Sequence, residues 1–235
     1  MPDDAFADET DSLNPIADGI REVFTAKNAA RDDAIARSRE LIRHCSEGIR
    51  AIHRRNWKAA DEKLDVIRAY AAELKSVVEG YPDLLHSGYT QDALKEVTEA
   101  FATYAIIRRT PLPTLDSLAD LGVGEAAYLK GLAEAATELR RFILDILRRE
   151  NGDSDEAERL LAWMDAIYDR LVTFDFPDAL TGGLRRQTDV VRGVLERTRG
   201  DLTTTLRQQR LQAALQRFEA RVLDSGKGGY SEVEL

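Results

Sequence analysis

The sequence predicts an all-α fold, a single domain of about six or seven long helices packed as an antiparallel bundle. The first observation behind this prediction is that six prolines interrupt 235 residues, and long segments rich in alanine, leucine, arginine and glutamate lie between them. The second is that no alternating run of β-branched residues is bounded by turn signals, so strands are not supported. The third is the charged fraction of 32%, which is typical of long solvated helices.

Prolines and glycines mark the ends of the predicted helices, because proline breaks a helix interior and the residue before it avoids helical dihedral angles. The six predicted helices cover about residues 15–55, 57–79, 90–108, 124–149, 154–172 and 182–223. An interruption of the first helix near Asn28 is left open. A proline-bearing connection is expected at 110–123 and a loop at 174–177.

Composition separates the chain into three parts. Residues 1–13 are predicted to form an acidic, disordered tail, because they carry five acids and no base. Residues 14–223 form the helical domain. Residues 224–235 contain three glycines and are predicted to form a flexible tail. The acidic beginning is also the opposite of a signal or transit peptide, since both of those are basic.

The single cysteine, Cys45, excludes an internal disulfide. A reducing, cytoplasmic location is therefore expected. Cys45 lies on the apolar face of the first predicted helix, which is more typical of a core position than of a nucleophile. No stretch approaches the about 20 apolar residues of a membrane span, so no membrane partner is expected. The net charge of −9 argues against a nucleic-acid partner only as an average, because the charges are unevenly distributed.

A row of arginines lies on one face of the first predicted helix. At about 100° per residue its members fall within about 60° of each other, away from the apolar face. The row consists of Arg39, Arg43, Arg50 and Arg54, with His53 beside it. One interpretation is a phosphate-binding surface, because guanidinium forks match phosphate oxygens. The other is a solvated face that Glu40 and Glu47 partly neutralise. The sixth predicted helix is also basic, and there solubility or subunit contacts explain the charge equally well.

Two pairs of acids lie on neighbouring predicted helices. Glu96 and Glu99 are three positions apart, and Glu134 and Glu138 are four apart, so each pair projects from adjacent turns. Like charges at this spacing repel, and a divalent cation would compensate them. Ligation by oxygen alone favours Mg²⁺ or Mn²⁺. The same spacing is common on solvated helices, so a structural interpretation stays open. No histidine follows a glutamate by three positions, which disfavours a ferritin-like di-iron site.

Four segments, in this order, resemble the translin and translin-associated factor X family. The first is S-R-E at 38–40 through I-R-A-I-H-R at 49–54. A-L-K-E-V-T-E-A at 93–100 resembles the family's G-L-Q-E-x-V-E-A, and Y-L-K-G-L-A-E-A-A-T-E-L at 128–139 resembles its Y-L-x-G-x-A-D-x-x-x-E-L. D-F at 175–176 followed by L-R-R-Q-T-D at 184–189 resembles its D-F…L-R-R-K-x-D. The resemblance extends over roughly residues 31–215.

The resemblance implies a translin-like fold that assembles into a homo-oligomer, often an octamer, around an internal cavity. It implies binding of single-stranded RNA and single-stranded DNA. In the factor X branch and its archaeal relatives it also implies a metal-dependent endoribonuclease, whose catalytic acids would fall on Glu96, Glu99, Glu134 and Glu138. The full acid set favours that branch, although Glu134 stands where the family pattern has aspartate.

The leading hypothesis is therefore a Mg²⁺- or Mn²⁺-dependent endoribonuclease that binds and cleaves single-stranded RNA. Glu96, Glu99 and Glu134 would hold the metal, and Glu138 would complete the site or orient the attacking water. The arginine row would hold the phosphate backbone. The alternative is a non-catalytic oligomer that binds single-stranded RNA or DNA, and a third hypothesis is a purely structural scaffold.

Overall fold

The computed structural model describes residues 11, 13–149 and 153–227, and within these residues the chain is all-helical, as predicted. Six long helices account for most of the described chain: α1 (Leu13–His53), α2 (Trp57–Val78), α4 (Gly88–Arg108), α6 (Glu125–Leu147), α7 (Ser154–Leu171) and α9 (Leu184–Lys227). Three short helices lie between them: α3 (Pro82–Leu85), α5 (Leu115–Ala119) and α8 (Asp178–Thr181). Most of the two predicted tails, residues 1–10 and 228–235, lies outside the described residues.

The ends of the long helices follow local side-chain chemistry. The Asn56 side chain caps α2 by accepting a hydrogen bond from the Ala59 amide at 3.3 Å, and Arg55 makes the preceding turn with a φ of 54°. Asp153 caps α7 in the same way, accepting from the Glu156 amide at 3.0 Å. Asn28 does not interrupt α1. Its side chain donates to Asp32 one turn later at 3.3 Å, which is compatible with the helix.

The chain divides into two compact units, and α6 contributes residues to both. The first unit comprises residues up to 135 together with 176–184. In it α1 packs against α2 and α4. The turn between α1 and α2 is short, which makes them antiparallel neighbours. The core of this unit contains fully buried side chains from all three helices, among them Leu41, Ile67, Leu74 and Leu94.

The second unit comprises residues 136–175 and the chain from 185 onward. Its core is apolar and contains Leu139, Ile143, Leu160, Met164 and Val191. Arg140 of α6 links this core to α9, because its guanidinium donates to Asp201 at 2.8 Å and to Thr198 at 3.0 Å. No helix in the described residues combines the length and apolar character needed to cross a membrane.

Candidate functional site

A close approach of two helix backbones positions the acids of the first unit. At Gly131 of α6, an added Cβ would lie 2.4 Å from the Thr98 Cβ and 2.6 Å from the carbonyl oxygen of Lys95 on α4. Only glycine fits at this distance, so the backbone of α6 lies directly on α4. Glu134 follows Gly131 by one helical turn, and it is therefore held beside the acids of α4.

Three carboxylates meet where α4 and α6 touch. Glu96, Glu99 and Glu134 each offer an oxygen, and these oxygens all lie within 4.8 Å of one another. Glu99 is only 8% exposed, whereas Glu96 and Glu134 are half-buried. The structure thus brings together three of the four acids singled out by the sequence. Glu138 belongs to the second unit and is not a member of this cluster, so its role stays a prediction.

A lysine that the sequence analysis did not single out lies within the acid cluster. The Lys95 ammonium is 2.7 Å from Glu134 Oε1 and 3.3 Å from Glu96 Oε1. Burial lowers the pKa of Lys95, but the hydrogen bond to Glu134 and the charges of Glu134 and Glu96 outweigh it, so the pKa is raised overall. The sequence contains one indication of this lysine. Lys95 lies in the segment A-L-K-E-V-T-E-A at 93–100, at the position where the family pattern has glutamine.

The pKa of Glu96 is raised within the cluster. Burial raises the pKa of Glu96, and the nearby charge of Glu134 raises it further, while Lys95 acts in the opposite direction. Without a divalent ion, the positive charge of the Lys95 ammonium stabilises the cluster.

The donor set fits a hard divalent cation. Magnesium and manganese prefer carboxylate oxygens, and the three glutamates supply these from two rigid helices. Within the described part of the chain, the one group able to hold a metal contains no histidine or cysteine. Lys95 already places a positive charge where a cation would bind. Glu96, Glu99 and Glu134 are therefore the residues that could hold Mg²⁺ or Mn²⁺.

Cys45 lies in the core behind the acid cluster. Its side chain is fully buried, and burial together with the charges of Glu96 and Glu99 raises the pKa of the thiol well above its ordinary value. A thiol with this pKa stays protonated at neutral pH, and the thiolate is the nucleophilic form. The position fits the core interpretation of Cys45.

The predicted arginine row forms an exposed face of α1. All four of its arginines are exposed, and the apolar face of the same helix is buried, with Leu41, Cys45 and Ile52 fully so. His53 beside the row is half-buried. Glu40 pairs with Arg43, whereas Glu47 accepts from Lys63 at 2.5 Å.

Most of the row is not neutralised. Arg39, Arg50 and Arg54 have no ion-pair partner among the residues that the structure describes. Three guanidinium groups on one helix face are thus available to phosphate oxygens.

No known protein-family model matches the chain. An uncharacterized protein of Methanocaldococcus jannaschii is 31% identical over 195 residues, which cover 82% of this chain and 84% of that protein. The crystal structure of AfC3PO is 33% identical with a TM-score of 0.74, covering 82% of this chain and 98% of its own.

Two further solved structures share the fold. AfC3PO in complex with duplex RNA has a TM-score of 0.70 at 33% identity, covering 82% of this chain and 97% of its own. Apo-NeC3PO also has a TM-score of 0.70, over 81% of this chain and 97% of its own. Because apo-NeC3PO is only 21% identical to this chain, its similarity is evidence for the fold alone.

Proposed function

The chain belongs to the translin/C3PO family, and we propose that it is a metal-dependent endoribonuclease that binds and cleaves single-stranded RNA as a homo-oligomer. The observation that carries the proposal is the convergence of three carboxylate oxygens within 4.8 Å, on two helices in direct contact. A purely solvated arrangement would not bury Glu99 to 8% exposure.

The side chains of the cluster would divide the catalytic work. Glu96, Glu99 and Glu134 would hold Mg²⁺ or Mn²⁺, with the rigid contact at Gly131 fixing the two helices that carry them. The bound ion would supply a lowered pKa for water and stabilisation of charge on the phosphate oxygens. Glu138 would complete the site or orient the attacking water. Glu134 reaches one methylene further than the aspartate of that pattern.

RNA is the proposed partner for two reasons. The arginine row on α1 presents unpaired guanidinium groups, which suit a phosphate backbone and carry no base preference. In addition, AfC3PO, at 33% identity, has been solved in complex with duplex RNA. We extend the proposal to single-stranded RNA and single-stranded DNA, to an oligomer as large as an octamer, and to a cytoplasmic location.

One observation favours the alternative function, a non-catalytic oligomer that binds RNA or DNA. Lys95 forms ion pairs with both Glu96 and Glu134, and its single charge offsets part of their negative charge. A cluster whose charge is partly compensated by a lysine can be stable without a metal and serve a structural role. Binding through the arginine row would be unaffected.

Cleavage of a labelled single-stranded RNA separates the two functions. The expected result is cleavage by the purified protein in Mg²⁺ that stops on addition of a chelator, and that is lost in the double variant Glu96→Gln/Glu134→Gln. The matched control is Glu62→Gln/Asp65→Asn, an acid pair on α2, which should cleave normally. Undiminished cleavage by the Glu96/Glu134 variant would eliminate the assignment, whereas RNA binding without cleavage by the wild type would establish the alternative.

A further inference from the structure

Lys95 is held in the acid cluster by both neighbouring helices. It projects from α4 and reaches Glu134 on α6 at 2.7 Å, while it also pairs with Glu96 of its own helix at 3.3 Å. Its side chain is only 14% exposed, so the ammonium is largely withdrawn from water. An exposed lysine would gain little from such pairing, but a half-buried ammonium depends on these two oxygens.

The two carboxylates that Lys95 contacts belong to the cluster that would hold a metal ion. Glu134 Oε1 and Glu96 Oε1 both face the ammonium, and these two residues are members of the three-glutamate cluster. A divalent cation placed between them would also lie close to a unit positive charge of the protein itself. Like charges at this distance repel, so the ammonium and the ion disfavour each other.

We propose that Lys95 lowers the metal affinity of the centre. Its ammonium is an internal cation that competes with the divalent ion for the oxygens of Glu96 and Glu134. The ion then enters only by displacing Lys95, and the centre binds metal more weakly than its three carboxylates alone would. The inference rests on the proposed metal centre and explains how the cluster is stable without an ion. A glutamine, which the family pattern has at this position, carries no charge and would not compete.

Manganese binding to the whole protein, followed by electron paramagnetic resonance without RNA, tests this competition. The Lys95→Gln variant should bind Mn²⁺ about ten- to a hundredfold more tightly than wild type, the range over which groups surrounding a metal site change its affinity. Lys95→Arg keeps the charge and should bind as weakly as wild type. The control is Lys63→Gln, which removes a half-buried lysine paired with Glu47 and should leave Mn²⁺ affinity unchanged.

Equal Mn²⁺ affinity in wild type and Lys95→Gln would overturn the inference, as would an equal gain in Lys63→Gln. Adding Glu99→Gln and Glu134→Gln to Lys95→Gln should abolish the tight binding, and its survival would also count against the inference because the ion would lie elsewhere. If Lys95→Gln does not fold alone, Mn²⁺ should restore its helical circular dichroism, since the ion replaces the missing charge. Absence of that rescue would overturn the inference too.

The proposed nuclease activity can fail separately. Tight Mn²⁺ binding by Lys95→Gln without RNA cleavage by any variant would support the competition and remove the nuclease. Cleavage by wild type with unchanged Mn²⁺ affinity in Lys95→Gln would support the nuclease and overturn the competition.

Discussion

Gly131 of α6 lies against Thr98 of α4 so closely that a Cβ at position 131 would lie 2.4 Å from the Thr98 Cβ. The same added Cβ would lie 2.6 Å from the carbonyl oxygen of Lys95. That oxygen belongs to the backbone of α4, so it cannot move aside by a side-chain rotation. This contact determines the separation of the two helices, and therefore the separation of Glu134 from Glu96.

Gly131→Ala should lower the free energy of unfolding by about 1–3 kcal/mol, the usual cost of overpacking a core. Gly200→Ala is the matched control, because Gly200 lies within α9 with no atom near its added Cβ. It should stabilise the protein by about 0.5–1 kcal/mol through helix propensity. Urea denaturation measures both, and a Gly131→Ala protein as stable as wild type would show that α4 and α6 do not touch there.

The arginine row should bind the phosphates of RNA. Arg50→Glu/Arg54→Glu should weaken binding of single-stranded RNA and flatten its salt dependence, because the slope of log affinity against log salt falls by about 0.7 for each phosphate that is no longer neutralised. Arg21→Glu/Arg31→Glu is the control on the same helix, because these arginines pair with Asp18 and Asp32. Fluorescence anisotropy at several salt concentrations gives the slopes. Identical slopes for both double variants would assign RNA binding to another surface.

Cys45 should react slowly with thiol reagents. Its thiol is fully buried and its pKa is raised by burial and by Glu96 and Glu99, so little thiolate forms at neutral pH. We expect negligible modification by a chromogenic disulfide in native protein and one equivalent in denaturant. Rapid modification of the native protein would contradict the core position of this residue.

The pair formed by Glu47 and Lys63 should stabilise the first unit only above acidic pH. The hydrogen bond from Lys63 lowers the pKa of Glu47 below its ordinary value near 4.5. Stability from this pair is therefore present above the ordinary value and disappears as pH falls through the lowered one. Urea denaturation of wild type and Lys63→Met at pH 7 and pH 3 measures this. The stability difference should shrink at pH 3, and a difference that grows there would contradict the sign.

The helix ends and the acid pairs were predictable because they depend on residues close in sequence. Asn56 and Asp153 cap helices by local hydrogen bonds, and Glu96 and Glu99 share a face by helical spacing alone. The short helices were not predicted, because α5, the five residues Leu115–Ala119, is too short for a periodic pattern. The interruption left open at Asn28 is absent, since no proline or glycine breaks α1 there.

The place of Lys95 could not be predicted from spacing. Its contact with Glu134 joins positions 39 apart in sequence and depends on how closely α4 approaches α6. Gly131 is compatible with such an approach, but a glycine within a helix does not by itself identify its neighbour. The pairing of charges across helices is a tertiary property, whereas the motif containing Lys95 is local.

A single-stranded RNA with sulfur in place of one nonbridging phosphate oxygen at each linkage tests metal-assisted cleavage most directly. Magnesium binds sulfur poorly, whereas manganese is softer and accepts it. Wild type should cleave the oxygen RNA in Mg²⁺ but should cleave the sulfur RNA well only in Mn²⁺, and Glu96→Gln/Glu134→Gln should cleave neither. Equal cleavage of both RNAs in Mg²⁺, persisting in chelator, would contradict a metal acting at the phosphate.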